Sequence, residues 1–299
     1  MSFLNPVSEP VLRFSSTDVD APQINYNARV AGDIKTVLKG CLVTGYGAKA
    51  SAGWSIVNEV DHVAEFVSPS VAMSDYRLGI DDASTANTTW YYQYQNSRVN
   101  PSNNTPIKNL SSANKTHVDN GWQLLVTARG LIFVELVRHT TINKLSARLT
   151  YFSQVKSALF DTVGANMMFF NYGHDSTLGL PQNLYSSSRT HMVLANQSSA
   201  QIFDATPFST GTASYLLDVS NIDITSALYL TSSSKDLMLG SVPGLLQKVV
   251  NKTSSLYDIT EQVVDARNTL SVCAGYAAAN TTSTSYARTF LIYLDYWEY

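Results

Sequence analysis

Gly121–Leu136 reads GWQLLVTARGLIFVEL. Two apolar runs of strand length flank Ala128-Arg129-Gly130. Short apolar runs bounded by turn residues are the sequence mark of packed strands. The spacing predicts an antiparallel hairpin turning at Ala128-Arg129-Gly130, with Gly130 taking a positive φ at no steric cost.

Outward from this hairpin the same period-two or short apolar signal recurs. WSIVNEV (54–60), HVAEFVS (62–68), YRLGID (76–81) and WYYQYQ (90–95) precede it. RLTYFSQV (148–155), MMFFNY (167–172), HMVLAN (191–196), SYLLDV (214–219), LYLTS (228–232) and the aromatic TFLIYLDYWEY (289–299) follow. All read as strands. One segment differs: Ile34, Val37, Leu38 and Cys41 fall at i, i+3, i+4 and i+7, one face of a short helix. Asp33 is its expected N-cap, and Gly45 and Gly47 end it. A second helix is expected within Leu145–Leu159. The fold class is therefore mainly β, with antiparallel, sandwich-like sheets and a short N-terminal helix.

Residues 1–29 carry Pro6, Pro10 and Pro22 and little periodicity. They read as an extended arm whose removal leaves the fold of residues 30–299 intact. Two polar stretches, Asn96–Gly121 and Asn280–Tyr286, read as loops, and a domain split is placed near 96–121.

Charged residues are 14% of the chain, well below the usual ~25%. Ser, Thr and Asn replace them, so few charges need desolvating at a contact surface. A net charge of −3 argues against general nucleic-acid binding, which needs a basic face. The opening residues lack the basic and apolar regions of a signal peptide, and no apolar run nears the ~18 residues of a membrane span. Synthesis in a cytoplasm is expected, and sequons such as Asn87, Asn114 and Asn251 then carry no glycan meaning. Cys41 and Cys273 are too far apart in sequence for a CxxC motif and read as buried free thiols.

Candidate chemistry is sparse. GCLVTGYGAKASAGWS (40–55) resembles a phosphate loop only in composition. Gly40 and Gly45 match its glycines, but Tyr46 stands where the phosphate-binding lysine belongs. These glycines also close a helix, whereas a phosphate loop opens one. GHDS (173–176) holds the residue types of a hydrolytic triad, but adjacent side chains diverge and cannot relay a proton. His62, His117, His139, His174 and His191 show no metal-ligand spacing. Asp81-Asp82 reads as a strand-end turn before it reads as a cation seat or carboxylate pair. The chain is expected not to be an enzyme, and no cofactor motif is present.

Seventeen tyrosines and four tryptophans leave a different kind of candidate. Alternation puts Trp90, Tyr92 and Tyr94 on one strand face and Tyr91 on the other. With Tyr293, Tyr296, Trp297 and Tyr299 they form the candidate interface residues. Core packing and stacking on sugar rings remain open beside that reading.

Three segments together carry a resemblance: VLKGCLVTGYGAKASAGWS (37–55), DYRLGIDD (75–82) and GWQLLVTARGLIFVEL (121–136). They resemble a group of tailed-bacteriophage virion proteins, as do VPGLLQ (242–247) and the terminal aromatic strand. The likeness runs from about Ile34 onward and is loosest between Tyr151 and Leu239. It implies a structural subunit of the tail, baseplate or head–tail connection, located in the virion and partnered by copies of itself and other virion proteins. A capsid decoration protein is the second expectation. A tail-tip protein binding host-surface glycan is the third. Nucleic acid and membrane are not expected partners. The shared motifs are structural, so no catalytic residue follows from them.

Overall fold

A computed structural model describes residues 6–24, 30–83, 89–95, 107–109, 121–139, 144–157, 167–172, 190–193, 207–208, 224–231, 238–249, 259–274 and 288–299. Strands β1 (Ser8–Pro10) and β2 (Leu12–Ser15) precede helix α1 (Asp33–Lys39), which continues as a π-helical turn over Gly40–Thr44. Next come β3 (Ser55–Val60), β4 (Val63–Val67), β5 (Tyr76–Asp81), β6 (Thr89–Gln95) and β7 (Ile107–Asn109). These pair in sequence order as a five-stranded antiparallel sheet.

The rest of the chain builds a larger sheet. Its strands are β8 (Trp122–Thr127), β9 (Gly130–His139), β10 (Lys144–Gln154), β11 (Lys156–Ser157), β12 (Met167–Tyr172), β13 (Thr190–Val193) and β14 (Pro207–Phe208). They continue with β15 (Ile224–Thr231), β16 (Met238–Val249), β17 (Thr260–Val264), β18 (Arg267–Ala274) and β19 (Arg288–Tyr293). The main path runs β14-β15-β16-β19-β18-β10-β9-β8-β2. Pairing is antiparallel except at Ala147↔Ala274, where β10 meets β18 in parallel. The last strand, β20 (Tyr296–Glu298), pairs with β1 as a separate ribbon. Among the described residues the architecture is mainly β, with one short helical segment at Asp33–Thr44 and a 3-10 turn at Val71–Met73, as the residue pattern implies for its mainly β character and N-terminal helix.

The hairpin β8–β9 lies between two cores because both of its faces are apolar over Leu124–Val134. Leu124, Val126, Leu131 and Phe133 enter a first core with Ile34, Val37, Leu38 and Cys41 of the helix and Phe66, Leu78 and Ile80 of the smaller sheet. Leu125, Ile132 and Val134 point the other way, into a second core with Leu149, Tyr151, Leu245, Leu270, Phe290, Ile292 and Trp297. Alternation along a strand makes this two-sided burial automatic once both sets are apolar. Each large aliphatic or aromatic side chain so buried contributes about 1.5–3 kcal/mol.

Four expectations are corrected. Lys144–Gln154 is strand, not helix; it pairs with β9 from Lys144↔His139 to Ser153↔Gly130. Ala147, Leu149 and Tyr151 face the second core while Phe152 faces the first, a period of two that overrides the helix-forming Leu and Ala content. The turn at Ala128–Arg129 is where the sequence places it, but Gly130 has no positive φ. Its role is close approach: a Cβ there would lie 2.0 Å from Ser153 Oγ.

The N-terminal segment is not a detachable arm in its described part, residues 6–24. Val7 and Tyr299 exchange backbone hydrogen bonds at 3.0 and 2.9 Å, and β2 pairs with β8. Phe14 is 1% exposed in the first core. The Trp122 indole N–H donates to the Pro22 carbonyl at 3.0 Å. Strands of three and four residues, one ending in proline, are too short to register as periodicity. Finally, Asp33 is not the N-cap. Gly32 holds that position at φ 91, in the left-handed region, and Asp33 accepts instead from the Val30 N–H at 3.0 Å.

The stretches 214–219, 173–176, 280–286 and most of 96–120 lie outside the described residues, and within the last only Ile107–Asn109 is placed, as β7.

Deleting residues 1–15 is expected to lower the thermal midpoint of the monomer by several degrees, and Phe14→Ala alone to cost about 3–5 kcal/mol in urea denaturation. An unchanged midpoint for both would return the segment to the status of an arm. The β17–β18 turn offers the opposite sign. Asp265 and Ala266 connect Val264 to Arg267 with φ of 50° and 60°. Such a turn favours glycine at its second position. Ala266→Gly is expected to stabilise by about 1 kcal/mol, read as a raised urea midpoint at constant slope.

Candidate functional site

The glycine-rich stretch after the helix is a structural staple. Tyr46 and Lys49 close a turn on each other, N–H to C=O, at 3.1 and 2.9 Å. Gly45 and Gly47 have φ of 75° and 53°, and a Cβ on Gly45 would lie 2.6 Å from the Lys49 carbonyl oxygen. Lys49 is not available to a phosphate. Its ammonium donates to Asp18 Oδ2 at 2.6 Å and lies 5.3 Å over the Phe14 ring. The same carboxylate oxygen accepts from the Tyr46 hydroxyl at 2.6 Å and the Ser15 N–H at 2.9 Å. Burial alone would raise the Asp18 carboxyl, but Lys49, Tyr46 and Ser15 together outweigh it and hold it below the ordinary carboxylate value. Cys41 beneath this turn is buried, and its thiol is pushed well up by desolvation.

Asp81 and Asp82 do not act as a pair. Asp81 accepts from the Ala83 N–H at 3.1 Å. Asp82 is fully buried, and its Oδ2 accepts from the Ile34 N–H at 2.8 Å and the Lys35 N–H at 3.4 Å. It is the true cap of α1, supplied from 48 residues away. Its backbone also bonds Gly32 and His62, so one residue joins the helix start, the β3–β4 turn and the end of β5. Among the described residues no three His, Cys, Asp or Glu side chains converge on a metal position. His117 and His174 lie outside the described residues, and His139 and His191 are placed only as backbone within strands.

The aromatic candidates separate into three groups. Trp90, Tyr92 and Tyr94 stand opposite Asp81, Gly79 and Arg77, on an inner strand between β5 and β7; their side chains lie outside the described residues. Trp297 and Tyr299 are corrected from interface to core. The Trp297 indole is fully buried, donates to the Tyr293 carbonyl at 3.0 Å and rests on Gly244, where a Cβ would come within 2.4 Å of the ring. The Tyr299 hydroxyl lies 2.7 Å from Thr127 Oγ1 and 3.1 Å from Ser153 Oγ. Burial pushes this phenol well above its ordinary value. Pairing of β20 with β1 turns these residues inward.

Tyr293 and Tyr296 remain half-buried at the surface. They share a partner that the sequence did not single out. The Arg267 guanidinium lies 3.5 Å from the Tyr293 ring centroid and 3.8 Å from that of Tyr296, and it donates to the Tyr296 carbonyl. Beside it the exposed Asp295 carboxylate accepts from the Asn268 N–H at 2.7 Å and its side-chain amide at 2.9 Å. Arg267 opens a strand straight after the Asp265-Ala266 turn, and that β-branched run, turn and second run was the available signal.

Two outcomes follow. In a Cys273→Ser background, Cys41 is expected to resist alkylation at pH 8 in the native state and to react fully in urea. Rapid native alkylation would show that the thiol is accessible. Asp18 has a depressed folded-state pKa, so its contribution is present above the unfolded value of about 4 and is lost as pH falls through the folded one. Asp18→Asn is expected to lower stability at pH 7 and to flatten the acid limb of a stability–pH curve; an unaltered limb contradicts the assignment.

Comparison with known protein families, curated proteins and solved structures finds no match for this chain.

Proposed function

We propose that this chain is a structural subunit of a tailed-bacteriophage virion, in the tail, the baseplate or the head–tail connection, working by repeated contact with copies of itself and with other virion proteins. The observation that carries the reading is the Tyr293–Arg267–Tyr296 stack at the surface of a mainly β body. Tyrosine and arginine are the residue types that concentrate binding energy at protein interfaces. Here the rings and guanidinium are already held in place, so little side-chain freedom is lost on contact. The sparse charge of the chain supports the same reading, because a neutral polar surface is cheap to desolvate around such an anchor. So does the resemblance carried by residues 37–55, 75–82 and 121–136. On this reading the subunit turns over no substrate, and the Gly40–Ser55 and Asp81-Asp82 segments serve folding alone.

The test pairs particle analysis with one substitution. The protein is expected to co-sediment with virions in fixed stoichiometry and to self-associate at high concentration, measured by light scattering after gel filtration. Recovery only as a soluble monomer overturns the proposal. Tyr296→Ala is expected to keep the native circular dichroism spectrum while weakening association at least tenfold. If the wild type assembles and the variant assembles equally well, the subunit role stands and the contact lies on another face.

A further inference from the structure

We draw no further inference here: the strongest candidate, the outer edge of strand Thr260–Val264 with Val263 exposed, is a sheet edge without a partner among the described residues, and nothing in the structure shows what covers it.

Discussion

Over Leu124–Val134 the hairpin β8–β9 has no face to give to water, and the described parts of the chain are arranged around that constraint. A sheet buried on one side can stop at two layers; one buried on both must find a cover for each. The first cover is α1 with the five-stranded sheet, through Ile34, Leu38, Phe66 and Leu78. The second is the far part of the same large sheet, returned over Leu125, Ile132 and Val134 through Leu270, Phe290 and Ile292. Stability therefore does not divide neatly between a small and a large sheet, because both lean on one hairpin.

Two-sided burial also decides where polar groups can be tolerated. Thr127 and Ser153, at the turn end of the hairpin, are buried and would each cost about 1–3 kcal/mol if left without a partner. The Tyr299 hydroxyl reaches both. Arg129 lies over that ring and is paired at 2.9 Å with Glu9 from the opposite end of the chain. Glu9 of β1 and Tyr299, just after β20, thus meet the same cluster of polar side chains from the two ends of the described chain. This is why the N-terminal segment belongs to the core although it is short, proline-bearing and half-exposed.

What the sequence disclosed and what it hid divide by range. The β8–β9 hairpin, the helical face Ile34–Cys41 and the strand at Tyr76–Asp81 are local patterns, and each was readable from its own residues. The misreadings are all long-range. Asp33 is a sound local cap, but Asp82, delivered by β5, is the carboxylate that reaches the helix amides. Lys144–Gln154 has mixed local preference, and its pairing with β9 settles it as strand. Gly130 is required by Ser153 across the ladder, not by its own φ. Trp297 and Tyr299 look like a terminal aromatic patch until β1 is known to lie beside them. No spacing rule links Arg267 to Tyr293 and Tyr296; only the β18–β19 register brings them together.

The same long-range pairing bears on the proposed role. The described cations are mostly spent within the chain: Lys49 on Asp18, Lys35 and Lys39 on Glu59, Arg77 on Glu65, Arg129 on Glu9. Internal neutralisation removes charges that would otherwise repel an approaching copy or demand a matched counter-charge. Arg267 is in a different situation: its guanidinium is stacked on two rings, and the nearby exposed Asp295 acts on it only through space. A guanidinium so placed keeps donor capacity while losing little hydration on contact, since the rings have already displaced much of its water. That combination favours a contact selected by shape and ring stacking over one steered by net charge, which suits a neutral, densely packed assembly better than a salt-sensitive encounter.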